Sequence, residues 1–262
     1  MKQRIMTAVV ALILFVPVVW YGSWVLELLM AILGVVGLHE LFKMKQKSIF
    51  SLEGVIASVG MLSILLPSER LAFLADYGIE ASFIFYICVM LLLVAMVFSK
   101  NKFNFDDAAV AVLGSLYVGY GFHYFLVARE AGLAVILYML FLVWSTDSGA
   151  YFCGRKFGKN KLAPHISPNK TIEGALGGVV CALVVSVLFL YFNPMQYALV
   201  PMLGLTALFS VSGQLGDLVE SAYKRHYDVK DSGNLLPGHG GILDRFDSLL
   251  FVLPIMHLVG LI

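Results

Sequence analysis

The chain has 262 residues, 60% of them hydrophobic and only 13% charged, with 18 Lys and Arg against 17 Asp and Glu. Soluble domains carry about 25% charged residues. Half that share, with long apolar runs and a mean hydropathy of +0.88, excludes an ordinary soluble domain and points to an integral membrane protein. The net charge of +1 says nothing about partners by itself, so the placement of the charges has to. No nucleic-acid partner is expected.

A membrane-spanning helix needs about 20 mostly apolar residues. The apolar runs predict an all-α polytopic membrane protein with about nine transmembrane helices, at roughly 5–21, 24–42, 52–67, 80–98, 107–127, 131–153, 172–192, 197–223 and 243–261. The third is the weakest, because Gly54, Ser58 and Gly60 dilute it. The first run lacks a small-residue cleavage site and is expected to be a retained helix. With nine spans, every Lys and Arg except Arg70 and Arg129 falls on one side. That asymmetry puts the N-terminus and the 217–247 stretch in the cytoplasm and the C-terminus on the opposite side. Residues 1–104 then read as scaffold helices. Residues 105–262 read as the catalytic part, with cytoplasmic loops 154–171 and 224–242. Cys88, Cys153 and Cys181 lie in apolar or small-residue stretches and are not spaced as metal ligands.

The second part carries the chemistry. The sixth span ends in WSTDSGAYFCGRKFGKNK, and its Asp147 stands near membrane depth, where an ionisable side chain is costly and faces protein or water. The loop KLAPHISPNKTIEGALGG follows. Thr171 or Asn169 suits the N-cap of the next helix and Glu173 its first turn. Gly174, Gly177 and Gly178 offer a small-residue face for close helix packing. Ser167, Asn169 and Lys170 lead into that helix's N-terminus, where backbone N–H groups favour anions. Anchoring to the cytoplasmic face accounts for Lys159 and Lys161 and less well for Lys170.

The eighth span carries SVSGQLGDLVESAYKR. Asp217, Glu220, Ser221 and Lys224 share one helix face, and Gly213 and Gly216 allow another backbone to approach. The loop HYDVKDSGNLLPGHGG has turns at Ser232–Asn234 and at Pro237-Gly238. Its Gly240 and Gly241 precede the last span, where successive N–H groups can converge on an anion. That span opens ILDRFDS, with Asp244 and Asp247 one turn apart. Carboxylates from two helices, Asp217 with Asp244 and Asp247, can hold a hard divalent cation through oxygen. The cations interleaved with them, Lys224, Arg225, Lys230 and Arg245, would repel that ion unless something anionic binds as well. A metal-bound polyphosphate meets both needs. No Walker-type phosphate loop is present. Glu27 and Glu40 in the second span are left for a helix or subunit contact to explain. His39, His123 and His257 are read as packing residues, and His226 is given no functional role.

Together, Ser221-Ala222-Tyr223-Lys224-Arg225, Lys230-Asp231, Pro237-Gly238-His239-Gly240-Gly241 and Asp244-Arg245-Phe246-Asp247 resemble the signature of the phosphatidate cytidylyltransferases, or CDP-diacylglycerol synthases. The resemblance is strongest over about residues 140–262 and extends to Asp147 and Ser167–Lys170. It implies that CTP and phosphatidate give CDP-diacylglycerol and pyrophosphate, at a cytoplasm-facing site in a multi-pass protein of the cell (inner or plasma) membrane. It further implies Mg²⁺, a second cation such as K⁺, and a homodimer. Asp217, Asp244 and Asp247 resemble the family's metal ligands. Lys170, Lys224, Arg225 and Arg245 would neutralise substrate and leaving group, Lys230 would be a further catalytic residue, and His239 would complete the anion pocket with the Gly240 and Gly241 amides. Asp147, Ser167, Asn169, Ser221, Asp231, Gly240 and Gly241 would line the substrate. The competing readings are another membrane CTP-dependent lipid transferase or polyprenol kinase, and an ion-coupled transporter, which would call for an internal repeat that the chain lacks.

Overall fold

In the computed structural model, residues 2–75 and 77–262 are described, with the side chains of residues 2–5, 8 and 75 outside that description. Lys2 and Arg4, two of the expected cytoplasmic cations, are among these. The elements run α1 (Lys2–Tyr21), α2 (Ser23–Met44), α3 (Leu52–Leu65), a 3₁₀ turn with the single-turn α4 (Ala72–Ala75), α5 (Ala81–Phe98), α6 (Phe105–Ala131) and α7 (Leu133–Phe157). Then come β1 (Lys161–Ala163), β2 (Ser167–Thr171), α8 (Ile172–Phe192), α9 (Leu199–His226) and α10 (Leu243–Leu258).

A helix occupies each of the nine apolar stretches. Among the described residues, however, six are long and apolar enough to cross a membrane: α2, α5, α6, α7, α8 and α9. At 1.5 Å per residue, the 14 residues of α3 and 16 of α10 fall short of the ~30 Å hydrocarbon core. The chain is thus a polytopic helical membrane protein. One departure from the all-α expectation is the hairpin in the 154–171 loop, where β1 and β2 pair antiparallel with Lys161 opposite Thr171.

The chain packs as two compact units, each discontinuous in sequence: residues 1–126 with 229–245, and residues 127–228 with 246–262. In the first, α3 lies against α5 and α2. Of the glycines that weaken α3 as a span, Gly60 serves this packing, for a Cβ there would stand 3.1 Å from Cys88 Cβ, while Gly54 lies against the Ile49 backbone. Glu27, on α2, forms an ion pair with Arg70 at 2.7 Å. Asp107, buried at the start of α6, pairs with Lys45 at 3.2 Å and Lys47 at 2.8 Å.

In the second unit, α7 and α8 make the most extensive helix contact, and α9 packs on both. The small-residue face of α8 works as its sequence suggests. A Cβ on Gly174 or Gly178 would stand 2.8 Å from the carbonyl oxygen of Ala150 or Thr146, and one on Gly177 would overlap Cys153. Gly149 of α7 answers from the other side, against Cys181. Backbones that close leave van der Waals contact as the main attraction between helices in lipid. A buried polar knot adds to it: Tyr138 Oη lies 3.0 Å from Ser186 Oγ and 2.7 Å from Thr206 Oγ1, while the Thr146 hydroxyl donates to Ser210 at 2.9 Å. His257 departs from expectation. It is exposed at the end of α10, and its Nδ1 lies 3.0 Å from the Ile262 carbonyl.

Candidate active site

In the second unit, α8 begins where the hairpin ends. Thr171 caps it, its hydroxyl accepting from Gly174 N at 3.1 Å. Glu173 turns back to accept from the backbone N–H groups of Lys159 and Asn160 at 3.0 and 3.2 Å, and from Asn160 Nδ2 at 2.7 Å. These bonds tie both ends of the hairpin to the helix, so that Asn169 and Lys170 stand on short, well-bonded backbone.

Beside them opens a cleft of about 480 Å³, lined by Asp147, Tyr151 and Arg155 of α7, Asn169 and Lys170 of β2, and Gln214 and Asp217 of α9. Lys170 Nζ meets Asp217 Oδ2 at 2.6 Å, with the two side chains 26% and 35% exposed. The exposure lies on the Lys170 stem and the Asp217 side, while the Lys170 Nζ itself is buried against the carboxylate. Gly216 brings α9 against α10 so closely that a Cβ there would run into the Asp247 carbonyl and stand 3.0 Å from Phe251 Cβ. Asp247 therefore lies near enough to feel the charges of both Asp217 and Asp147, and its Oδ1 accepts from Ser248 N at 2.7 Å.

The polar stripe of α9 is real but internally matched. Ser221 Oγ donates to Asp217 Oδ1 at 3.5 Å, a long bond. Lys224 meets Glu220 at 2.8 Å with side-chain exposures of only 12% and 2%. A pair this buried holds its partners tightly, because removing either leaves an uncompensated charge. Arg225 is exposed and its Nε donates to the Ile166 carbonyl at 3.3 Å, which links α9 to the hairpin turn. Ser167 is half-buried on β2.

The remaining candidates belong to the first unit and form a different kind of cluster. Pro237-Gly238 makes the expected turn, with Leu236 N bonded to Gly240 O at 3.0 Å and His239 N to Leu236 O at 2.8 Å. Gly238 and Gly240 adopt φ of 78° and 82°, a region that costs glycine nothing. Asp244 reaches back across the first turn of α10. Its Oδ2 accepts from Ser232 N, Ser232 Oγ and Gly241 N at 2.8–2.9 Å. The Gly241 amide, expected to serve a bound anion, thus serves a carboxylate of the protein. The His239 ring has its Nδ1 turned inward without a hydrogen-bond partner among the described residues. Lys230, Asp231 and Arg245 are exposed.

Sequence reasoning missed several of these positions. Arg155 and Gln214 line the cleft, and Gln214 Nε2 donates to the Ala175 carbonyl at 3.2 Å. A glutamine one turn before Asp217 in a membrane helix was a readable signal. Glu40 was the other omission. It is 3% exposed and accepts from Ser232 Oγ, Ile242 N and Leu243 N at 2.8–3.0 Å.

Among the described residues, no group of three or more His, Cys, Asp or Glu stands ready to hold a metal ion. Still, the donors are carboxylate oxygens, which suit a hard cation. Asp147 and Asp217 line the cleft with Lys170 and Arg155, and Asp247 lies near enough to feel both acids, so carboxylates outnumber cations there and a divalent ion would relieve the excess.

The sequence profile of the cytidylyltransferase family matches residues 2–262. The phosphatidate cytidylyltransferase of Bacillus subtilis strain 168 is 49% identical over 260 residues, covering 98% of this chain and 96% of that protein. Those of Staphylococcus saprophyticus and Staphylococcus aureus strain COL are 45% and 46% identical over 259 residues, each covering 99% of this chain and 98% of the relative.

Proposed function

The chain belongs to the cytidylyltransferase family, and from that premise we propose that it transfers the cytidylyl group of CTP to phosphatidate, giving CDP-diacylglycerol and pyrophosphate for phospholipid synthesis. The observation that carries the reading is the Lys170–Asp217 pair, 2.6 Å apart at the cleft beside Asp147. A triphosphate with its cation needs both signs of charge within reach, and this pair supplies them.

A phosphate oxygen of phosphatidate attacks the α-phosphorus of CTP in line, and the bond from that phosphorus to the β-phosphate bridging oxygen breaks. No general base is needed, because the phosphate monoester is already ionised near neutral pH. Lys170, released from Asp217, meets phosphate oxygens, and Arg155 and Asn169 face the same cleft. Arg225, Lys230 and Arg245 would raise the positive potential that draws in the nucleotide, Lys224 would join them once freed from Glu220, and Ser221 steadies the Asp217 carboxylate. On the family resemblance alone, Asp217, Asp244 and Asp247 would hold Mg²⁺, with Asp247 also serving a second cation such as K⁺. Bound there, the metal supplies neutralisation of the triphosphate and of the departing pyrophosphate. His239, Asp231 and Gly240 stand with Asp244 in the glycine-rich loop and complete the polar surroundings of the substrate.

The site faces the cytoplasm in this reading, with the N-terminus inside, the C-terminus outside and the protein in the cell membrane. The bias of Lys and Arg supports it. Assembly as a homodimer rests on the family resemblance and is checked by the mass of the detergent-free particle in nanodiscs.

The deciding assay supplies purified protein with labelled CTP and phosphatidate in mixed micelles, with and without Mg²⁺. Labelled lipid and stoichiometric pyrophosphate are expected. Release of CDP with a phosphorylated polyprenol would establish the kinase alternative in its place.

A further inference from the structure

The loop between α9 and α10 is built around two carboxylates, and one of them comes from α2. Glu40 takes the amides of Ile242 and Leu243 at 2.8 and 3.0 Å and the Ser232 hydroxyl at 2.9 Å. That hydroxyl lies at the same 2.9 Å from Asp244 Oδ2, so a single serine stands between Glu40 and Asp244. Three glycines make the arrangement possible. A Cβ on Gly241 would collide with Glu40 Oε1 and Ser232 Oγ, and one on Gly233 would stand 2.5 Å from Glu40 Oε1. A Cβ on Gly240 would collide with Asp244 Oδ2. These three glycines are thus explained by space for two acids. A buried carboxylate with two amide donors, and a serine proton shared with Asp244, fixes its surroundings strongly, since each donor left without it would carry a desolvation cost.

We propose that Glu40 is a positioning residue for the transfer reaction. It fastens the Ser232–Leu243 segment and, through Ser232, sets the carboxylate of Asp244 in the orientation that the reaction uses. The inference rests on the reading of Asp244 as a group that binds the cation of the nucleotide. Glu40 itself touches neither substrate nor metal. Replacing it therefore acts on Asp244 geometry and on the loop amides, and leaves the Lys170–Asp217 cleft as it is.

The test compares Glu40→Gln, Glu40→Asp and Ser232→Ala with wild type and with Tyr138→Phe, which removes a buried hydroxyl from the α7–α9 knot. Each protein is purified in full length. Its melting temperature, its kcat and KM for CTP, its half-saturating Mg²⁺ concentration and the hydrogen exchange of residues 238–247 without metal are measured. Glu40→Gln places an amide N–H₂ where one of three donors now points. It should lower kcat by at least tenfold, raise half-saturating Mg²⁺ severalfold, leave KM for CTP within about threefold and speed exchange at Gly241–Leu243 tenfold or more. Ser232→Ala should move kcat and Mg²⁺ response in the same direction, Glu40→Asp should recover part of the loss, and Tyr138→Phe should change only the melting temperature. If Glu40→Gln does not fold, Glu40→Asp and Ser232→Ala carry the comparison. Variants that lose activity only in step with folded protein, with wild-type Mg²⁺ response, would overturn the role of Glu40. An Asp244→Asn enzyme of near-normal activity would instead overturn the reading of Asp244 on which the role depends.

Discussion

The two acidic clusters of this protein are built on opposite plans. In one, Asp217 is about a third exposed and its partner is the flexible side chain of Lys170. In the other, Asp244 Oδ2 is engaged by two backbone amides and a serine hydroxyl, and Glu40 beside it is buried. A lysine can swing away when a phosphate arrives, whereas a backbone amide cannot. The first cluster is thus suited to exchange partners during turnover and the second to hold one geometry throughout.

Substitutions that act on exchange should separate from those that act on geometry. The largest effect is expected from Asp217→Asn, which should cost at least ~10²–10³-fold in kcat while leaving helix content and melting temperature near wild type. Turnover within tenfold of normal would break the assignment of the cleft. Lys170→Ala should follow, raising KM for CTP and weakening inhibition by added pyrophosphate; a change confined to stability would make Lys170 a mere tether. Gly241→Ala belongs to the other plan. It pushes a methyl into Glu40 and Ser232 and should destabilise the protein by roughly 1–3 kcal/mol along with activity, as read by denaturation of the reconstituted protein. Thr171→Ala removes the cap of α8 and should cost about 1 kcal/mol with a modest rise in KM, because the hairpin that carries Lys170 loosens. Arg70→Ala should be the mildest. It breaks an exposed pair with Glu27, and a measurable loss of turnover would place Glu27 in the working machinery.

Several features were written in residue types alone. Twenty-odd apolar residues in a row admit a membrane helix and little else, since lipid satisfies no backbone group. Glycines at one-turn spacing on α8 announced a tight helix contact, and Asp217 and Asp147 were conspicuous because charge is expensive at that depth. The motif from Ser221 to Asp247 points to the family by residue type and spacing alone. Other features depended on where distant segments meet. Nothing in the ELF run around Glu40 connects it with Ser232, 192 residues later, nor does the order of the chain show that residues 229–245 pack with the first unit. The glycines before α10 read equally well as an anion nest, and only the carboxylates lying against them chose between the two. Helix formation and burial are local preferences of side chains, so sequence carries them. Which donor satisfies which buried acid is settled by tertiary packing, because the same amide serves a ligand or a neighbouring carboxylate according to what stands within 3 Å of it.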